Sequence, residues 1–125
     1  MFLKMPYFAT DDNVNLYYED KGSGKSFVLI NDYSCRRHDF KRRIPEFLKN
    51  KRIIRFDLRG HGDSEHSGYG LTVAQYVQDL KCLINYLNID QFSLVGWSIG
   101  NNIIYEYIKQ FGCDNIDEIC LLKSS

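Results

Sequence analysis

A chain of 125 residues is long enough for one domain with its own core, and a hydrophobic share of 44% is that of a globular protein. Its 16 basic and 16 acidic side chains leave no formal net charge, which removes the electrostatic footprint of a nucleic-acid binder. No apolar run approaches the ~18 residues of a bilayer span, and the start MFLKMPYF lacks the pattern of a signal peptide; neither nucleic acid nor membrane is expected as a partner, and the expected location is cytoplasmic.

In chain order, residues 14–18, VNLYY, alternate polar and apolar as a half-buried strand does, and KGSGK then reads as a turn. FVLI, at 27–30, is a continuous apolar run of strand length, the kind covered on both faces. The segment 38–48 is a weaker helix, started or interrupted by Pro45. It overlaps a dense basic run, RRHDFKRR at 36–43, read as a solvated helix face, with attraction of an anionic substrate as the alternative. RIIRF, at 52–56, is a second continuous run.

Thr72 and Gln75 form the pattern of a capping box: the Thr72 hydroxyl accepts from a helical amide while Gln75 reaches back. Val73, Val77, Leu80, Ile84 and Leu87 then recur at helical spacing. FSLVG, at 92–96, is a third strand-like run. A second helical stripe follows Ser98, through Ile103, Ile104, Tyr107, Ile108 and Phe111, with Gly112 placed to end it as a left-handed cap. IDEICLL, at 116–122, is the fourth apolar run. The four cysteines, Cys35, Cys82, Cys113 and Cys120, form no CxxC pair and read as buried free thiols in a reducing compartment.

Strands alternating with helices imply βαβ units and a parallel sheet, with chemistry collected at the carboxyl ends of the strands. Ser98 lies just past one such end. In VGWSIG, Gly96 and Gly100 bracket it at two residues on either side. A strand turning directly into a helix holds one residue on a tight, strained bend and pushes its side chain clear of the sheet. The residues two before and two after it then approach each other, and glycine removes the clash. The bend also aims the first helical amides at the serine oxygen, where they favour negative charge.

Three stretches resemble the α/β-hydrolase family in its esterase and haloperoxidase-like branch: VGWSIG, its nucleophile elbow; RFDLRGHGDSE, its loop after the fourth strand; and LTVAQYVQDLKCLINYLNIDQFSLVG, the helix and strand leading to the elbow. The resemblance implies a mostly parallel doubly wound sheet in the order 1-2-4-3-5-6. Strands are expected near 27–31, 52–57, 92–96 and 117–122, and helices over 72–87 and 99–111. It implies Ser98 as nucleophile, the amides of Ile99 and Tyr33 as oxyanion donors, Trp97 at the substrate, and no metal or other cofactor.

Asn31 and Asp32 stand where the family has His and Gly, and an Asp32 carboxylate near an oxyanion would oppose it by about 1 kcal/mol at roughly 4 Å in water. Asn101 stands where the family prefers a small residue. The family's triad runs Ser, then Asp or Glu, then His in chain order. Residues 1–125 therefore resemble a single partial domain, truncated after the sixth strand of eight, with the triad's acid and His missing.

Of the three histidines, His61 matches a structural position of the family's loop and His38 begins the weak helix. HGDSEH, at 61–66, which includes His66, reads as a solvated loop rather than a metal site. Asp57, Arg59 and Asp63 are expected to organise that loop.

Two functions follow. One is a serine hydrolase acting on a small-molecule carboxylic ester or related acyl bond. The other is a non-catalytic remnant that folds or self-associates without turnover, its last strand offering an exposed edge for a homo-oligomer.

Overall fold

The computed structural model describes residues 6–30 and 46–122, with the backbone alone at Phe47. Its centre is a six-stranded sheet in the order β1-β2-β4-β3-β5-β6. The strands are β1 (Tyr7–Ala9), β2 (Asn15–Lys21), β3 (Ser26–Ile30), β4 (Arg52–Phe56), β5 (Phe92–Trp97) and β6 (Ile116–Leu122). β3 lies parallel to β4 and β5, and β5 parallel to β6. β1 and β2 run antiparallel at one side. Helix α1 (Val73–Tyr86) follows β4 and helix α2 (Ile99–Phe111) follows β5.

Apolar runs become covered strands because side chains alternate between faces. Val28 and Ile30 of β3 join Leu94 of β5 in a cluster with Leu80 and Leu83 of α1 and Ile103 and Ile104 of α2. Phe27, Leu29, Val95 and Trp97 point the other way into a second cluster with Leu48. All six residues of β5 are buried.

β6 differs from the other runs: its pattern is largely exposed, with Ile119 41% and Leu121 40% accessible. It lies at the end of the strand order, and no described element covers its outer side. The weak helix expected at 38–48 falls mostly outside the described residues; what is described there is one 3-10 turn at Glu46–Leu48.

α1 begins as a half-formed capping box. The Thr72 hydroxyl accepts from the Gln75 amide at 3.2 Å, as expected. The Gln75 side chain does not reach back; its Nε2 donates to Asp79 Oδ1 at 3.0 Å, because Asp79 is a buried carboxylate that needs donors. The helix closes with Asn88 in a left-handed conformation (φ 54°), which delivers the Asn88 amide to Asn85 O at 3.1 Å and the Ile89 amide to Ile84 O at 3.2 Å. Gly112 ends α2 at positive φ, but with φ 77° and ψ −173° it is extended rather than the expected left-handed cap; its amide donates to Ile108 O at 2.8 Å.

The loop after β4 is tied down by a buried cation. Arg59 is fully buried and donates Nε to Asp79 Oδ2 and Nη2 to Asp79 Oδ1, both at 2.8 Å. It also pairs in bidentate fashion with Asp12 at 2.9 Å, so one guanidinium joins the β1–β2 turn, the loop and α1. The planar fork of arginine suits two carboxylates at once. These hydrogen bonds, helped by the Thr10 hydroxyl, hold the Asp12 carboxyl far below the usual carboxylate range.

The cysteines are less buried than expected: Cys82 and Cys120 are half-buried and Cys113, in the turn after α2, is exposed; all three are free thiols. Cys35 lies outside the described residues. No helix among the described residues is long and apolar enough to cross a membrane.

Removing one partner of a buried pair strands the other charge. Asp79→Ala is expected to lower the unfolding free energy by about 3 kcal/mol, and Arg59→Met with Asp79→Leu to recover most of that loss, both read by urea denaturation. The depressed Asp12 carboxyl stabilises the fold fully above its unfolded pKa of about 3.9 and stops doing so as pH falls through its lower folded value. The stability gap between wild type and Asp12→Asn should therefore be constant near neutrality and shrink below about pH 4.

Candidate active site

β5 runs between β3 and β6 and delivers the chain to Ser98. Ser98 is exposed and adopts φ 53°, ψ −116°, a conformation that L-residues rarely hold. Its carbonyl accepts from the Asn101 amide at 2.9 Å, the first hydrogen bond of α2. The serine is therefore the residue on the bend itself.

The bracketing glycines are required by contact. A Cβ on Gly96 would stand 2.7 Å from Asn101 Oδ1, 2.8 Å from Ile104 Cδ1 and 3.0 Å from the Gly100 carbonyl carbon. The close approach of positions 96 and 100 is the one anticipated from the spacing. A Cβ on Gly100 would collide with the carbonyl oxygen of Ile30, the last residue of β3. Spacing alone gave no sign of that second contact.

Ile99 opens α2, half-buried against the main core, and its amide belongs to the unsatisfied first turn. Trp97 is 6% exposed and packs in the second cluster, beneath the turn. Tyr33, Asn31, Asp32, His38 and the basic run 36–43 lie outside the described residues.

Asn101, where a small residue was anticipated, donates Nδ2 to the Leu122 carbonyl at 3.4 Å and so links the elbow to the end of β6. Its Oδ1 is buried without a hydrogen-bond partner.

The loop 57–66 is built as a scaffold. Asp57 Oδ1 accepts from Arg55 Nη1 at 2.8 Å, and its Oδ2 from the Asp63 amide at 2.9 Å. Ser64 Oγ donates to the Asp57 carbonyl at 2.6 Å and accepts from the Tyr17 amide at 2.9 Å. Arg55 also pairs with Glu19 across the strands at 3.1 Å. Burial raises the Glu19 carboxyl, but the Tyr17 hydroxyl and Arg55 outweigh it and leave the group below its usual range.

His61 Nδ1 lies 2.9 Å from the Arg59 carbonyl oxygen, so that nitrogen carries a hydrogen and donates it. The His61 ring meets Tyr76 edge-on at 6.4 Å. Among the described residues no three His, Cys, Asp or Glu side chains converge as a metal site requires.

Asp12 and Asp79 were not anticipated as partners of Arg59. Asp79 left a signal in the sequence: it is a charge on the same face as Tyr76, Val77, Leu80, Leu83 and Ile84, where a carboxylate needs a cation.

Residues 35–124 match a family described as alpha/beta hydrolase fold. The chain is 27% identical over 123 residues to a putative non-heme chloroperoxidase of Synechocystis, covering 94% of this chain and 45% of that protein. It is 26% identical to a bifunctional esterase/perhydrolase of Acinetobacter calcoaceticus, over 96% of this chain and 44% of the other. Among solved structures, an esterase of Exiguobacterium antarcticum superposes with a TM-score of 0.82 at 27% identity, covering 92% of this chain and 43% of that one. A bromoperoxidase of Bacillus anthracis does so with a TM-score of 0.80 at 30% identity, over 87% and 40%. The chain thus spans under half the length of the relatives it matches.

Gly100→Ala should cost about 3 kcal/mol or prevent folding, since the methyl would be driven into backbone. Ser98→Gly should stabilise the fold by about 1 kcal/mol by relieving the positive φ, with Ser98→Ala near neutral. Urea titration of the three variants checks both.

Proposed function

The chain belongs to the α/β-hydrolase fold family, and from that premise we propose that it carries the nucleophile of a serine hydrolase acting on carboxylic esters or related acyl bonds. The observation that carries this reading is Ser98 itself: exposed, at φ 53° and ψ −116°, on a turn that Gly96 and Gly100 alone permit. A strained, solvent-facing hydroxyl at a strand end is costly to hold, and such strain collects at reactive sites. The esterases among its relatives support the acyl class of substrate.

In this reading Ser98 Oγ attacks the acyl carbon, and the carbonyl electrons move onto oxygen. The Ile99 amide donates to that oxyanion, with the Tyr33 amide as the second donor by resemblance. Trp97 forms part of the apolar wall beneath the acyl group. The Oγ proton must pass to a base and then to the leaving group.

All three histidines, His38, His61 and His66, precede Ser98, whereas the family's acid and His follow its nucleophile. On that chain order the base lies outside these 125 residues, and the resemblance to the family implies the same of the acid that orients it. A second reading, folding without turnover, is favoured by one observation: His61 is held by the Arg59 carbonyl and Tyr76, as a loop-fixing residue is.

The test is an activated ester and a fluorophosphonate probe on the purified chain, beside Ser98→Ala. Slow labelling at Ser98, abolished in Ser98→Ala, is expected, with ester turnover no more than the roughly 10³–10⁴-fold over water that a site without its base retains. Labelling unaffected by Ser98→Ala would remove Ser98 as nucleophile. Brisk turnover lost in Ser98→Ala would place a base within the chain, with His61→Ala as the next variant.

A further inference from the structure

Three positions after Ser98, where a small residue was anticipated, the chain carries Asn101. Its Oδ1 is buried and accepts no hydrogen bond. A buried acceptor without a donor destabilises a fold, and an apolar group of the same shape would not. Packing alone therefore gives no reason for an amide at this position.

The amide lies in the notch of the elbow. Oδ1 occupies the room that Gly96 leaves open, since a Cβ on Gly96 would stand 2.7 Å from it. Nδ2 points the other way and donates a long hydrogen bond, 3.4 Å, to the Leu122 carbonyl. Leu122 lies opposite Trp97, the last rung of the β5–β6 pair before the chain bends. The backbone of the same residue donates to the Ser98 carbonyl at 2.9 Å. One residue thus meets Gly96 before the bend, Ser98 on it and the strand alongside.

We propose that Asn101 is a positioning residue for Ser98, an inference that rests on reading Ser98 as the nucleophile. Wedged against Gly96 and held at Leu122, the side chain fixes where the first turn of α2 begins. The Asn101 amide carries that placement to the Ser98 carbonyl. The backbone at Ser98, with φ 53°, sits in a conformation it would leave if the turn could relax. A misplacement of about 1 Å in a reacting group can slow a reaction on the order of a hundredfold. A small residue at 101 would remove the unsatisfied acceptor and the wedge together. The chain holds instead a group that destabilises the fold while restraining the nucleophile, and these two effects are separable by measurement.

The test compares Asn101→Leu, which fills the notch without polar atoms, and Asn101→Ala, which empties it, with the wild-type 125-residue chain. Asn101→Leu should keep or raise the urea midpoint, because the unsatisfied acceptor is gone. Both variants should label with a fluorophosphonate at Ser98 roughly ten- to a hundredfold more slowly than wild type. In a nitrogen–proton correlation spectrum the Ser98 and Ile99 amide signals should move while those of α1 stay in place. If Asn101→Leu does not fold, Asn101→Ala carries the labelling and the spectrum. Labelling within about twofold of wild type in either folded variant overturns the proposal. So does a lowered midpoint in Asn101→Leu with labelling slowed only in step with the unfolded fraction, or failure of both variants to fold, since each makes Asn101 a residue of stability. If the wild-type chain does not label at Ser98, it is the nucleophile reading that fails. The amide signals then decide: displaced at Ser98 and Ile99 if Asn101 holds the turn, unmoved if it does not.

Discussion

Helix α2 can begin immediately after strand β5 because nothing projects from Gly100 toward the carbonyl of Ile30. That single close approach brings the first turn of the helix against the end of the neighbouring strand. With β5 buried along its whole length, neither strand can retreat to make room for a larger residue. The backbone at Ser98 is bent as a result. Its unfavourable φ is imposed by well-packed surroundings, the condition under which such strain persists. The position of the hydroxyl is thus a consequence of packing between β3, β5 and α2.

A second fixed point lies at the loop after β4. Here the chain commits three charges, Arg59, Asp12 and Asp79, to the interior or its margin. Desolvating a guanidinium is expensive, and two carboxylates in bidentate contact offset the cost only while every donor is aligned. The arrangement fixes where the loop, the β1–β2 turn and α1 meet. Asp57 and Ser64 then set the remaining backbone. Asp57 and Arg59 are thereby occupied with structure, which matches their reading from the sequence as organisers of the loop.

Much of this was legible in the residues because the central elements obey one rule each. β5 and α2 were expected at 92–96 and 99–111 and occur at Phe92–Trp97 and Ile99–Phe111. The failures have local causes. β1 is too short for three residues to display a period. β2 extends to Lys21, past the expected end at 18, because Glu19 and Asp20 face Arg55 and Arg52 across the β2–β4 pair; polar residues there are held by cross-strand ion pairs that no single-strand pattern reveals. β6 is apolar in sequence yet largely exposed, because an apolar run signals a capacity to be covered, and cover depends on neighbours elsewhere in space. At the elbow, the glycine spacing revealed the approach of Gly96 to Gly100. It could not reveal the Ile30 carbonyl, which is 70 positions distant in the chain from Gly100.

One side chain couples the bend to the strand beyond it. Asn101 donates its backbone amide to the Ser98 carbonyl at 2.9 Å and its side-chain Nδ2 to the Leu122 carbonyl at 3.4 Å. The first turn of α2 is thereby fastened at once to the residue on the bend and to the end of β6. Because close-packed interiors transmit strain, whatever displaces the end of β6 is felt at Ser98, and the aim of its hydroxyl is set partly by a strand that never touches it.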